Sequence, residues 1–208
     1  LFGVTDLSDA ALASLSKHNG TLFLSGLKHL SDAAAESLEK HNGNLDLSGL
    51  THLTDAAAES LSKHKGHLNL NGLTNLSDVA AQSLSEHRGG YLGLNGLVEL
   101  SDAATESLKQ YNGQLYLFGS VQLSAATFDS LNKRTNSNLV LSGLIRLSDA
   151  AAESLSKFQG HLYLDGLNQL SDAAAESLGR HTGTLFLFGV TDLSDAALAS
   201  LSKHNGTL

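Results

Sequence analysis

Six histidines recur at one phase of this 208-residue chain: His18, His41, His64, His87, His181 and His204. An imidazole ladder can ligate a transition metal or move protons near neutral pH, so it is the first place to look for chemistry. The same phase also carries Tyr111 and Phe158, and neither a metal site nor a general base survives replacement of its key residue by phenylalanine. Helices stacked side by side lie about 8–10 Å apart, which makes successive histidines too distant to share one ion. The spacing favours a structural role near a helix C-terminus, where the helix dipole favours a protonated imidazole.

Asp32, Asp55, Asp78, Asp102, Asp149 and Asp172 form a second ladder that can be imagined as a calcium array. Each follows Ser or Thr at the start of a helical pattern, so capping and dipole stabilisation are the stronger reading. Serine, histidine and aspartate are abundant, but they sit on a repeating register instead of forming one unique constellation. No catalytic residue, cofactor or metal site is therefore expected, and the protein reads as non-enzymatic. Two stretches break the pattern: SEHRGGY at 85–91 and NKRTNSN at 132–138 each lengthen a turn by one residue, and the unit containing the second has Ala125 where Asp is usual. Any special place in the chain is there, although tolerated drift in a surface turn is the stronger reading of the insertions.

The elements that must position these residues follow from the repeat itself. Aligned on Leu-x-Leu-x-Gly, units start at Leu22, Leu45, Leu68, Leu92, Leu115, Leu139, Leu162 and Leu185, after a first unit near residue 1 that lacks its two leading residues. The step between starts is constant apart from the two one-residue insertions. Leu45-x-Leu47 alternates with period two before Gly49, predicting a short strand with leucines inward and the intervening side chains outward. In "DAAAESLSKH" the apolar positions then recur at helical spacing, behind Thr54 or Ser31 as N-cap. Glu36 with Lys40, Glu59 with Lys63 and Glu153 with Lys157 are spaced as i,i+4 ion pairs, and Gly43, Gly66 or Gly160 follows where a left-handed cap is easiest. Each unit is strand, turn, helix and glycine, and a lone unit cannot bury both of its apolar faces, so the units must stack.

Composition narrows the partners. A net charge of −8 with a charged fraction of 16% argues against nucleic acid. No apolar stretch approaches the roughly 20 residues of a membrane helix, so membrane insertion is not expected. With no cysteine there is neither a disulfide framework nor a thiolate metal site. The chain starts at Leu1 without a leader pattern and reads as a window on a longer array.

A 23-residue strand-plus-helix unit with leucines at these offsets resembles the leucine-rich repeat. The closest wording is that of the F-box-associated, cysteine-containing subclass, where a strand is followed by Gly-Cys-x-x-Ile-Thr-Asp and a helix. Here Ser25-Gly26-Leu27-Lys28-His29-Leu30-Ser31-Asp32 matches with leucine in place of cysteine, in a somewhat shorter unit and without an F-box-like segment. The resemblance covers all nine units. It implies an α/β solenoid with a parallel sheet on one side and helices on the other, of a kind that usually binds protein on its strand face.

Two surfaces then stand out. Phe2, Phe23, Tyr116, Phe118, Tyr163, Phe186 and Phe188 occupy outward strand positions and share one face, seven of the eleven aromatic residues. Exposed aromatic patches of this kind mark interfaces. The ends are the second surface: residues 1–22 and 187–208 are identical at 22 of 22 positions, whereas the adjacent units 162–184 and 185–207 agree at 13 of 23. Leu1 corresponds to Leu187, eight units further on and in phase with the repeat. Neither end has the polar outer face of a capping repeat, so Leu1, Leu7, Leu15, Leu201 and Leu208 are expected to stack head to tail. The expected function is a structural filament or surface fibre with the chain itself as partner, extracellular or at a cell surface. The alternative is an interaction module that binds another protein through its strand face.

Overall fold

The computed structural model describes residues 3–117, 128–129 and 138–208. Within them eight strands alternate with eight helices: β1 (Leu22–Phe23), β2 (Leu45–Asp46), β3 (Leu68–Asn69), β4 (Tyr91–Gly93), β5 (Gln114–Tyr116), β6 (Leu139–Val140), β7 (Leu162–Tyr163) and β8 (Leu185–Phe186). The helices are α1 (Asp9–Leu15), α2 (Asp32–Leu38), α3 (Asp55–Ser62), α4 (Asp78–Ser85), α5 (Asp102–Leu108), α6 (Asp149–Leu155), α7 (Asp172–Gly179) and α8 (Asp195–Leu201). The strands form one parallel sheet in sequence order. Its register aligns Leu22, Leu45, Leu68, Leu92, Leu115, Leu139, Leu162 and Leu185 in a single row, the same leucines that begin the units in the sequence.

Strands of two or three residues and helices of seven or eight have no stability alone. Stacking supplies it. Leu24, Leu27, Ala34, Ala35 and Leu38 of one unit, with their counterparts in each neighbour, form one continuous buried core. The alanines decide how close the helices come, because neighbouring units must follow strands spaced about 4.8 Å apart on the sheet side. Larger residues at both Ala34 and Ala35 would splay the helices.

Capping occurs where the sequence placed it. Ser77 accepts a hydrogen bond from the Ala80 amide at 3.0 Å, and its hydroxyl donates at 2.5 Å to Asp55 of the preceding unit. Thr54 does the same with Ala57 and Asp32, and Ser171 and Ser194 donate to Asp149 and Asp172. Each aspartate thus stabilises its own helix N-terminus and accepts from the next cap, a link between units that the sequence reading did not include. Ser77→Ala removes the cap and leaves Asp55 without its donor; a loss of about 1–2 kcal/mol is expected, read as a lower urea midpoint at unchanged m-value.

Two local expectations are corrected. Gly43 and Gly66 are not left-handed caps: the residues ending the helices lie in the right-handed region, and among the described glycines Gly20 alone has a positive φ, 136°. Glycine is needed there because the carbonyl of the preceding glycine, Gly20 or Gly43, occupies the space of a Cβ. Of the ion pairs, Glu59–Lys63 closes at 3.2 Å and Glu153–Lys157 at 3.9 Å. Glu36 and Lys40 are not among the ion pairs that form between described residues.

Candidate functional site

The sheet alternates leucine inward with side chains outward, so its outer face is written by the residues between the leucines. The register sets Phe23, Asp46, Asn69, Gly93, Tyr116, Val140, Tyr163 and Phe186 in one row across that face. Sequence position alone put all the aromatics on a shared face; the row divides them. Phe23 stands at the first strand, separated from Tyr116 by Asp46, Asn69 and Gly93, while Tyr163 and Phe186 are adjacent.

Tyr163 and Phe186 stack with ring centroids 4.3 Å apart and planes 13° from parallel. Phe186 meets Phe188 at 5.7 Å, and Phe188 is 80% exposed. Beside this cluster, Asp165 accepts from the Ser142 hydroxyl through Oδ2, and its Oδ1 is enclosed without a hydrogen-bond partner. Tyr116 tilts against Tyr91 at 4.6 Å, and Tyr91 meets the His67 ring edge-on at 5.8 Å. Burial, with Tyr91 and Tyr163 alongside, raises the Tyr116 phenol above its ordinary range. Phe2 and Phe118 lie outside the described residues.

Tyr91 and His67 were not among the residues the sequence singled out. The signal was available: the alternation extends one residue before each first leucine, so position 91 faces outward like position 93. SEHRGGY, with its one-residue insertion, leads into the three-residue β4, in which Tyr91 pairs with Gln114 of β5. The same insertion borders a groove of about 1070 Å³ at the helix C-termini, where Lys63, Lys65 and Arg88 mix with Glu86 and Glu106. Ala125 and NKRTNSN, except for Asn138, lie outside the described residues.

The histidine ladder is real in space and differs from its expected chemistry. His41, His64 and His87 stack at 6.0 and 6.2 Å, Tyr111 continues the stack at 6.0 Å, and His181 and His204 repeat it. The rings are closer than the helix axes because they lie past the helix ends, in turns whose spacing follows the sheet. His64 is fully buried, and burial, helped by His87 and His41, lowers its pKa to about 4. The carbonyls of Gly43 and His41 oppose that shift without closing a hydrogen bond to either ring nitrogen. Burial lowers His87 and His181 as well. A neutral imidazole, and not the protonated one, is what these sites favour. Tyr111 fills the same slot with its hydroxyl donating to the Gly89 carbonyl at 2.7 Å, and Phe158 fills it buried; ring shape is the shared requirement.

The end leucines are placed as follows. Leu7 and Leu15 are half-buried, Leu201 is buried beneath its preceding unit, and Leu208 is exposed. Leu1 lies outside the described residues. Among those residues no helix is long and apolar enough to cross a membrane.

No protein-family model matches the chain, and no curated protein matches it. Among solved structures, the chain is similar to an internalin from Listeria monocytogenes, at 19% sequence identity and a TM-score of 0.58. That match covers 99% of this chain and 64% of the internalin chain, so the chain spans less than two thirds of that neighbour's length. At such identity the likeness is one of fold, and the fold these repeats build is a leucine-rich-repeat-like α/β solenoid.

Proposed function

We propose that this protein is a non-enzymatic binding module that holds a protein partner against the outer face of its sheet. The observation that carries the reading is the Tyr163–Phe186–Phe188 cluster, apolar and open to solvent on the face away from the core. Aromatic side chains supply large contact area at low entropic cost, which is why they anchor interfaces.

The fold of the internalin neighbour supports a binding module in preference to a fibre. The fibre reading has the identical end segments in its favour and no support from a solved neighbour. We read the unit as a short variant of the cysteine-containing leucine-rich repeat, supported by Leu27, Leu50, Leu73, Leu97 and Leu167, which fill the cysteine position and are all buried. The acidic, cysteine-free, repetitive composition supports an extracellular or cell-surface setting.

The test is partner capture by wild type against two single substitutions, each checked by circular dichroism. Phe188→Asp is expected to weaken retention of the bound protein by about thirtyfold or more, since central aromatic anchors contribute about 2 kcal/mol or more. Ile145→Asp, on an equally apolar exposed residue outside the cluster, is expected to leave it unchanged. Equal retention by all three proteins removes the sheet face from the function.

A further inference from the structure

The outer face of the sheet has two chemistries. Its β7–β8 end carries the apolar Tyr163–Phe186–Phe188 cluster. Over β2, β3 and β4 the outward positions are 44, 46 and 48, then 67, 69 and 71, then 91, 93 and 95. They hold amides, a hydroxyl, a carboxylate, an imidazole, a tyrosine and a glycine, and no aliphatic side chain.

The amides of this region are fixed by backbone donors. Asn71 Oδ1 accepts from the Asn95 N–H at 3.0 Å, Asn69 Oδ1 from the Asn71 N–H at 3.1 Å, and Asn44 Oδ1 from the His67 N–H at 3.0 Å. A backbone N–H settles which end of each amide is oxygen, so the NH2 groups of these three residues remain as donors. Asp46 follows the same pattern: its Oδ1 accepts from the Ser48 N–H at 3.0 Å, which leaves Oδ2 as an acceptor. Side chains held in this way need little further ordering when a ligand arrives.

An aromatic platform adjoins the amides, and Gly93 shapes it. A Cβ at Gly93 would lie 2.7 Å from the Tyr91 hydroxyl, 3.0 Å from the edge of the Tyr91 ring and 2.6 Å from Asn71 Oδ1. The missing side chain therefore lets Tyr91 lie over β4 beside the Asn71 amide. Tyr116 of β5 extends the platform, tilted against Tyr91 at 4.6 Å.

We propose that the centre of the sheet face, from β2 to β5, binds a neutral polysaccharide, an extended chain of sugar rings lying across the strands. A sugar ring presents hydroxyls around its rim and C–H groups on its faces. It is recognised by fixed donors and acceptors next to an aromatic ring, and Asn69, Asn71 and Asp46 beside Tyr91 supply that combination. Equivalent positions repeat about every 4.8 Å from strand to strand, the scale of one ring in such a chain. A protein partner is served less well here: the face over β2 to β4 offers no aliphatic contact. The strands are already paired on both sides within the sheet, so no extended peptide can be added to them. The chain's net charge of −8 disfavours an acidic polysaccharide. This inference is independent of the protein partner proposed for the Tyr163–Phe186–Phe188 cluster.

The experiment is native electrophoresis of the whole chain through gels that contain hydroxyethyl cellulose, a galactomannan or a xyloglucan, each neutral and with an extended backbone. The net charge drives migration, and mobility is read against a polymer-free gel. Wild type is expected to be retarded by at least one of the polymers. Asn71→Asp keeps the oxygen that accepts from Asn95 and loses the donor. Gly93→Ala displaces only the ends of the Tyr91 and Asn71 side chains. Each is expected to bind about tenfold more weakly, with an unchanged circular dichroism spectrum, whereas Phe188→Asp is expected to be retarded like wild type. Unretarded wild type in all the gels overturns the proposal. So does retardation that both Asn71→Asp and Gly93→Ala leave intact, and so does retardation that Phe188→Asp abolishes, which would place the saccharide on the aromatic cluster instead.

Discussion

Gly72→Ala is expected to destabilise the solenoid by roughly 3–5 kcal/mol and to divide its unfolding into two steps. A methyl group at Gly72 would lie 2.6 Å from the Leu50 carbonyl oxygen and closer still to that of Ser48. Both obstacles are backbone of the preceding unit, held by the sheet register of Leu45 against Leu68, so no side chain can rotate away. Relief requires the units to part. In a stack where each unit contacts only its neighbours, a weakened interface uncouples the segments on either side. Urea unfolding followed by circular dichroism should show a broadened or biphasic transition with a lower apparent m-value. Gly90→Ala is the control: its added methyl meets only the His67 ring, at 3.4 Å, and a change within about 0.5 kcal/mol is expected. A Gly72→Ala protein as stable and cooperative as wild type would show that the units are not in the close contact described.

The second large effect is on pH. His64 titrates at about 4 when folded and at the ordinary 6.5 when unfolded, and His87 and His181 are shifted in the same direction. Below 6.5 the unfolded chain therefore binds more protons than the folded one, so stability rises with pH across this window. The contribution of His64 is complete above pH 6.5 and is lost as pH falls toward 4. Each histidine held neutral contributes a slope of up to about 1.4 kcal/mol per pH unit. Urea midpoints measured from neutral to about pH 4 should fall steeply below 6.5. His64→Phe isolates the effect, because Phe158 already occupies the equivalent slot fully buried. That variant is expected to match wild type at neutral pH and to show a shallower loss on acidification. Parallel pH profiles for the two proteins would remove the buried imidazole as the cause.

What the sequence determined by itself is everything that the repeat period carries. Leucines two apart before a glycine specify an inward-facing strand residue in every unit, and their nearly constant recurrence predicts the register of all eight strands, from Leu22 to Leu185. Ser or Thr before Asp predicts the caps, because an N-cap is a local hydrogen bond within one turn of helix. Properties of this kind need no knowledge of neighbours and are repeated until they are unmistakable.

Tertiary structure decided whatever depends on the distance between units. Gly66 looked like a helix terminator and is instead a point of backbone contact, since a Cβ clash with Gly43 of another unit has no local signature. His64, His87 and His181 looked like protonated dipole partners, but burial lowers their pKa and favours the neutral ring, because desolvation by adjacent turns outweighs the field of one short helix. The outward aromatics looked like one face, but the row across the sheet separates Phe23 from the Tyr163–Phe186 pair and draws in Tyr91 and His67.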